Sequence, residues 1–136
     1  MRKPILSICI PTYNRAQFAY AAAKNILDGW AGDEIEVVVS DNHSIDNTQK
    51  LLRGIDDSRL KYFRNEQNLG AAFNTHLSFL RATGKYAYLT SDEDDLILAE
   101  IPYLLEFFNN HPDVSVFIGG GDLTYTHKRF PDAVYT

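Results

Sequence analysis

The sequence has almost no cysteine, no long apolar run and no excess of basic side chains. Its one cysteine, Cys9, excludes an intramolecular disulfide, and because it stands in an apolar run we expect a buried, unreactive thiol. No stretch approaches the roughly 20 apolar residues that a membrane-spanning helix needs. We therefore expect no transmembrane segment and a cytoplasmic location, which leaves peripheral membrane association open. The net charge of −5 argues against nucleic acid as the main partner.

The length and composition are those of one globular domain. The chain has 136 residues, of which 45% are hydrophobic and 23% charged, and this is enough for a domain with a core of its own. It contains no internal repeat, low-complexity tract or linker. The sequence predicts a single domain over residues 1–136.

Short apolar runs alternate with amphipathic segments along the chain. Strands are predicted at 5–10, 35–39, 60–64, 86–90 and 114–118, with a sixth at 123–126. Helices are predicted at 16–27 and about 71–81, with a second helix after the loop 40–48 that carries Leu51, Leu52 and Ile55, and a fourth that carries Ile101, Leu104, Leu105 and Phe108. This alternation predicts an α/β fold with three layers, α/β/α, in which a mostly parallel sheet lies between helices.

Several residues at the boundaries of these elements carry specific predictions. Pro11 is expected to end the first strand and Gly84 to stop the helix at 71–81. Asp46 or Ser44 is expected to cap the second helix. The apolar face of the third helix is predicted to consist of Phe73, Leu77 and Leu80.

The sharpest concentration of charge follows the fourth predicted strand, where the four carboxylates 92–95 are consecutive. Such groups repel one another, and a divalent cation is the usual compensator. Oxygen donors without a nearby Cys or His suit Mg²⁺ or Mn²⁺ better than Zn²⁺. The alternative is a solvated loop whose acids cap the next helix. The strand before the cluster favours a ligand site, because ligands of open α/β sheets bind outside the carboxyl ends of strands.

Two other polar loops, 12–15 and 41–43, also follow predicted strands. Parallel strands end at the same edge of a sheet, so we expect these loops and the acidic loop to converge on one rim.

Three segments, each placed after a predicted strand, carry a family resemblance. They are Ile10-Pro-Thr-Tyr-Asn-Arg15, Val39-Ser-Asp-Asn-His-Ser-Ile-Asp-Asn-Thr48 and Tyr88-Leu-Thr-Ser-Asp-Glu-Asp-Asp-Leu96, with Asn68-Leu-Gly70, Asn74 and Thr83-Gly84 between the last two. In this order and spacing they resemble the nucleotide-binding half of family 2 glycosyltransferases, which have the GT-A fold. The resemblance covers nearly the whole chain.

The resemblance implies an inverting, metal-dependent glycosyltransferase that uses a nucleotide-sugar donor. The donor is expected to be UDP-linked, and the acceptor to be a hydroxyl of a glycan, lipid-linked or other molecule in polysaccharide synthesis. Residues that the resemblance assigns to the nucleotide are Pro11, Tyr13 and Asn14 in the site wall, Asp41 at the base and Asp92 near the ribose. The Asp-x-Asp motif matches residues 92–94, which implies that Asp94 holds Mn²⁺ or Mg²⁺ and makes Asp95 a competing ligand.

The sequence departs from the family pattern in two respects. The acceptor-binding part and the general base of family members lie beyond the matched region, so the resemblance implies that both lie beyond Thr136. Phe73 stands where the family has a basic residue, which leaves the pyrophosphate contacts unassigned. Two alternatives remain. One is a noncatalytic nucleotide-binding or assembly module, and the other is a nucleotidyltransferase, for which a Gly-rich phosphate loop followed by a basic residue is lacking.

Overall fold

The computed structural model describes residues 3–114, 116–118 and 133–135. The chain divides into two compact units, Met1–Leu98 and Ala99–Thr136, each with its own internal contacts. The prediction of one domain over 1–136 stays a prediction.

The first unit is a parallel sheet with helices between its strands. Its elements are β1 (Leu6–Thr12), α1 (Ala16–Gly29), β2 (Ile35–Asp41), α2 (Thr48–Arg53), β3 (Leu60–Arg64), α3 (Ala71–Arg81) and β4 (Tyr86–Leu89). The strand order is β3-β2-β1-β4, and all three strand pairs are parallel. The predicted α/β fold is confirmed.

The helices cover both faces of this sheet. α1 and α2 contact each other, whereas α3 packs on β1 and β2. Right-handed crossovers explain the arrangement, because the connection from β3 to β4 runs across the sheet in the opposite direction to the first two connections. α3 therefore lies on the face opposite α1 and α2.

The core is built on β1 and β2, which are buried along almost their whole length. Both strands are mostly apolar because helices cover both of their faces. Cys9 is fully buried here, as predicted. Glu36 is an unexpected buried acid, and its Oε1 accepts hydrogen bonds from Ser7 Oγ at 2.6 Å and from Thr83 N at 2.7 Å.

Pro11 does not end the first strand, contrary to the prediction, because β1 continues to Thr12. The carbonyl of Cys9 faces β4 and accepts the N–H of Thr90, and Pro11, two residues on, faces the same side. β4 has ended there at Leu89. The N–H that proline lacks would therefore have no ladder partner, and the strand tolerates it.

Gly84 does not stop α3, which ends three residues earlier at Arg81. A Cβ atom on Gly84 would lie 2.7 Å from Ser7 Oγ and 2.8 Å from Ser7 N, so glycine is required by close approach to β1. The N-cap position of α2 is Asn47, which makes no side-chain cap hydrogen bond, so neither Asp46 nor Ser44 is the N-cap residue. Asp46, one residue earlier, accepts the N–H of Thr48, the first residue of α2, at 3.0 Å.

Of the predicted apolar face of α3, only Leu77 is partly buried, so the prediction is wrong at the other two positions. Phe73 and Leu80 are exposed, and the side chains buried against the sheet are Asn74 and Ser78. The reason is a hydrogen-bonded network between α3 and β2, described below, which requires polar side chains at the contact.

The second unit contains α4 (Ile101–Asn110), with Pro102 in its first turn as predicted, and a two-stranded sheet. A 3₁₀ turn, Leu98–Glu100, precedes α4. β5 (Val116–Ile118) pairs antiparallel with β6 (Ala133–Tyr135). The sequence predicted neither β6 nor this pairing, because periodicity identifies a strand but not its partner. The strand predicted at 123–126 lies outside the described residues, and no described helix is long and apolar enough to cross a bilayer.

Candidate functional site

The candidate site lies where the order of the strands reverses. From β1 the chain continues to β2 on one side, and it later returns to β4 on the other. Thr12, the last residue of β1, donates a hydrogen bond of 2.8 Å from Oγ1 to Oδ2 of Asp92, which follows β4. Open α/β sheets bind their ligands in the crevice at such a reversal. The loop between β1 and α1 (the first loop, 13–15) and the loop that carries the carboxylates 92–95 (the acidic loop) therefore meet at the edge that the sequence predicted.

The first loop is also joined to the loop after β2. Asn14 N donates to Ser44 Oγ at 2.8 Å, and Asn14 Oδ1 accepts the N–H of Ile45 at 2.8 Å. Asn14 has a left-handed φ of 51°, which asparagine adopts more readily than most residues. Its backbone and side chain hold the two loops together, and its predicted contact with a nucleotide stays a prediction.

Tyr13 and Pro11, assigned by resemblance to the wall of the nucleotide site, stand on either side of Thr12, Pro11 within β1 and Tyr13 just after it. Tyr13 is 43% exposed and Pro11 is half-buried. An exposed aromatic ring beside a crevice presents a face on which a planar base can stack. The geometry is compatible with the assigned role of Tyr13.

Asp41 lies at the end of β2 and is fully buried. Its Oδ1 accepts the Ser44 N–H at 2.9 Å and the Ser44 hydroxyl at 2.6 Å, and its Oδ2 accepts the Tyr62 hydroxyl at 2.5 Å. Burial, reinforced by the hydrogen bond to Asp41 and by its charge, raises the pKa of Tyr62, so the phenol remains a donor. Asp41 thus supports the loop, and its predicted contact with the base remains a prediction.

Asn42, the next residue, connects the second loop to the segment before α3. Its Oδ1 accepts hydrogen bonds from Asn65 Nδ2 at 3.1 Å and from Leu69 N at 2.9 Å, while its Nδ2 donates to Asn68 Oδ1 at 2.8 Å. Asn68 belongs to the Asn-x-Gly motif, for which sequence reasoning offered no structural role. The amides determine the position of this segment relative to the rim.

Asn74 of α3 continues this network beneath the rim. Its Oδ1 accepts from Ser40 Oγ at 2.8 Å and from Asn65 Nδ2 at 2.9 Å, and its Nδ2 donates to Ser40 O at 2.8 Å. Arg81 donates to Ser40 Oγ and to Asn65 Oδ1. Polar groups buried at this depth require such partners, which explains the polar buried face of α3.

His43 and Arg64 connect the ends of β2 and β3 in opposite directions. His43, with a left-handed φ of 68°, donates from Nδ1 to Asn65 O at 3.0 Å, and Arg64 Nη2 donates to Ser44 O at 3.0 Å. Within the part of the chain that the structure describes, Arg64 Nε is buried without a hydrogen-bond partner. The sequence did not indicate this pairing, since each residue reaches a backbone carbonyl of the other strand's loop.

The acidic loop receives part of its charge compensation from Arg15. The guanidinium forms an ion pair with Glu93, lies 3.7 Å from Asp92 Oδ1, and stands 4.7 Å from the centre of the Phe18 ring. Sequence reasoning named a divalent cation as the usual compensator and did not consider Arg15. The relevant signal was a basic residue at the end of the first loop.

Asp94 and Asp95, the residues assigned to the metal, are both exposed. They line a cleft of about 300 Å³ together with Ala22, Asn25 and Ile26 of α1. The pKa of Tyr88 in β4 is raised, mainly by burial of the phenol and to a smaller extent by the negative charge of Asp94.

The two carboxylates at this cleft suit a site in which the protein supplies only some of the ligands of a cation. Among residues 3–114, 116–118 and 133–135, no three His, Cys, Asp or Glu side chains are grouped so as to hold a metal ion. Two exposed carboxylates nevertheless suit Mg²⁺ or Mn²⁺, which proteins commonly bind through one or two carboxylates together with substrate phosphates. Asp94 and Asp95 therefore suit an ion whose remaining ligands are substrate phosphates and water.

Comparisons with known proteins point to one family. A family model described as "Glycosyl transferase family 2" matches residues 7–132. A GalNAc(5)-diNAcBac-PP-undecaprenol beta-1,3-glucosyltransferase of Campylobacter jejuni is 31% identical over 109 residues, covering 78% of this chain and 35% of the relative. A UDP-Glc:alpha-D-GlcNAc-diphosphoundecaprenol beta-1,3-glucosyltransferase of Escherichia coli is 29% identical over 138 residues, covering 89% of this chain and 53% of the relative. The chain thus spans about a third of the first relative and about half of the second.

Solved structures support the same assignment at the level of the fold. A mannosyltransferase from Pyrobaculum calidifontis, solved in complex with GDP-Man and Mn²⁺, superposes with a TM-score of 0.72 at 21% identity, covering 93% of this chain and 38% of that one. This likeness concerns the GT-A fold alone. Since the family match extends over most of the chain and the fold agrees with it, the protein belongs to glycosyl transferase family 2.

Proposed function

We propose that the chain supplies the donor-binding part of an inverting glycosyltransferase. The enzyme would transfer a sugar from a UDP-linked donor to an acceptor hydroxyl in glycan or polysaccharide synthesis, with a divalent cation as cofactor. The observation that carries the proposal is the bond from Thr12 to Asp92, which places the acidic loop beside the first loop where the strand order reverses. A cytoplasmic location remains part of the proposal.

The names of the relatives support the class of donor and acceptor. The relative from Escherichia coli is named for a UDP-glucose donor, and both relatives are named for acceptors on undecaprenol diphosphate. A hydroxyl on a glycan or a lipid-linked glycan is therefore our proposed acceptor class.

In this proposal the nucleotide lies on the rim where the first, second and acidic loops converge. The exposed ring of Tyr13 stacks on the base, with Pro11 and Asn14 completing the wall. Asp92 is 7% exposed, and its Oδ2 accepts the Thr12 hydroxyl, so a ribose hydroxyl would bond to Oδ1, which lies 3.7 Å from the Arg15 guanidinium. Asp41 holds Ser44 in place and lends its charge to this part of the rim.

The diphosphate lies along the acidic loop in the same proposal. Mn²⁺ or Mg²⁺ bound at Asp94 and Asp95 would offset the negative charge that builds on the departing diphosphate. Inversion follows from direct displacement, in which the acceptor oxygen attacks the anomeric carbon from the side opposite the diphosphate. We assign no general base among the described residues.

The test is a calorimetric titration of the purified chain with UDP, first in Mn²⁺ and then in excess chelator. We expect binding in Mn²⁺ that is lost in chelator and in Asp94→Ala. Asp33→Ala is the matched control, because Asp33 is an exposed carboxylate before β2, at the opposite edge of the sheet.

Two results would count against the proposal. Binding that persists in Asp94→Ala would refute the cation role of Asp94. No binding of UDP under any condition would favour the alternative of a noncatalytic module, unless titrations with GDP and CDP show a preference for another base.

A further inference from the structure

Arg15 occupies a position between the two halves of the proposed donor site. It ends the first loop and immediately precedes α1, yet its side chain pairs with Glu93, 78 residues further along the chain. The ring of Phe18, one turn into the helix, lies beneath the guanidinium at 4.7 Å. The side chain is therefore directed at the acidic loop by contacts on two sides.

A guanidinium in this position opposes the arrival of a second cation. It lies 3.7 Å from Asp92 Oδ1 and forms an ion pair with Glu93, so two of the four acidic residues already have a positive partner. Asp94 directly follows Glu93, the partner of Arg15, in the sequence, so a divalent ion at Asp94 and Asp95 would add positive charge to a loop that already carries a guanidinium, and like charges repel even in a well-solvated site. The described residues also offer such an ion no cluster of three acidic, His or Cys ligands.

We propose that Arg15 is the resident counter-ion of the acidic loop and that it makes tight binding of a divalent cation depend on a nucleoside diphosphate. The inference rests on the proposed function. When the diphosphate enters, its oxygens can accept paired hydrogen bonds from the guanidinium. Arg15 then exchanges a carboxylate partner for a phosphate partner, and the carboxylates it leaves become available to attract the cation.

The ion pair between Arg15 and Glu93 contributes little to the free energy of folding, so a substitution of Arg15 can be tested for cation binding without unfolding the chain. The side chains of Arg15 and Glu93 are 35% and 53% exposed, and exposed pairs of this kind contribute little to stability. Arg15→Gln should therefore fold normally. A matched control is Lys24→Gln, because Lys24 also forms an exposed ion pair, with Asp28 at 2.6 Å, and the carboxylates that act on it are Asp28 and Asp57.

The first measurement is titration of the chain with Mn²⁺ alone, with free Mn²⁺ followed by electron paramagnetic resonance. Removing the resident charge should tighten binding of free Mn²⁺ about fivefold in Arg15→Gln, an estimate for one charge removed from a solvated site. Lys24→Gln should bind Mn²⁺ like the unchanged chain.

The second measurement repeats the titration in saturating UDP. The unchanged chain should bind Mn²⁺ much more tightly with UDP than without, and Arg15→Gln should show a several-fold smaller gain. By linkage the same reduction must appear in the effect of Mn²⁺ on UDP affinity, which provides an internal check.

The outcomes separate this inference from the proposed function. If the unchanged chain binds UDP in a Mn²⁺-dependent way, but Arg15→Gln binds free Mn²⁺ no more tightly than Lys24→Gln does, the counter-ion role is overturned and the donor site stands. If the unchanged chain binds neither UDP nor Mn²⁺, both are overturned.

Discussion

Thr12 and Asp92 lie 80 residues apart in the sequence, yet a hydrogen bond of 2.8 Å joins their side chains. One residue ends β1 and the other follows β4, so the bond spans the point at which the strand order reverses. Asp92 is almost wholly buried there, and a buried carboxylate needs its donors. The contact thus connects the stability of the fold with the shape of the candidate site.

Replacing Thr12 by Val should test whether this hydrogen bond contributes to the stability of the fold and to the binding of UDP. The substitution keeps the shape of the side chain and removes the donor, so we expect the free energy of unfolding to fall by about 1–3 kcal/mol. UDP should also bind more weakly, because Asp92 is no longer held. Urea denaturation and calorimetry measure the two effects. Thr75→Val on α3 is the control, and an unchanged free energy of unfolding in Thr12→Val would show that the bond contributes nothing.

Tyr62→Phe should reveal how far the second loop depends on a buried hydrogen bond. Asp41 is fully buried and receives the Tyr62 hydroxyl at 2.5 Å, so loss of this donor should cost about 1–3 kcal/mol of unfolding free energy. Tyr103→Phe removes a hydroxyl from a side chain that is 69% exposed, and should change stability by less than about 0.5 kcal/mol. Equal effects of the two substitutions in urea denaturation would refute the prediction.

Gly84→Ala should destabilise the sheet at the start of β1. The added Cβ would stand 2.8 Å from Ser7 N, a backbone atom that cannot move without disturbing β1, so we expect a loss of about 1–3 kcal/mol. Gly54→Ala is the matched control, because Gly54 has helical backbone angles and its Cβ would lie 3.3 Å or more from its neighbours. Thermal unfolding measures the melting temperatures of both variants, and similar values for Gly84→Ala and Gly54→Ala would contradict the prediction.

Asp46 should make stability depend on pH in the acid range. Its limited burial acts to raise the pKa, but hydrogen bonds from Thr48 and Ala16 outweigh it, so the pKa lies below the ordinary value of about 3.9. A depressed pKa means that the stabilisation is fully present above the ordinary value and is lost as pH falls through the folded value. Asp46→Asn should therefore be less stable than the unchanged chain at pH 7, and the difference should shrink below about pH 4.

Urea denaturation at several pH values measures this dependence. Asp33→Asn, which changes an exposed carboxylate before β2, serves as the control. A difference between Asp46→Asn and the unchanged chain that stays constant from pH 7 to pH 3 would exclude the proposed role of the carboxylate.

The sequence by itself determined the order of the elements in the first unit and the edge of the sheet at which polar residues gather. Strand and helix periodicities are local properties, so the buried runs at β1 and β2 and the helices between strands were predictable from the residues within each segment. The Asp-rich loop was likewise predictable as the end of a strand. Its convergence with the loops after β1 and β2 was predicted as well, but the individual side-chain contacts between the loops were not.

Only the tertiary structure decided which residues meet. It placed β4 beside β1, which brought Asp92 to Thr12, and it paired Arg15 with Glu93, where the sequence had suggested either a divalent cation or a solvated, helix-capping loop. It also turned Asp41 inward and buried Asn74 where an apolar face was predicted. These outcomes depend on strand order and on packing between segments far apart in the chain, and no periodicity within a segment carries that information.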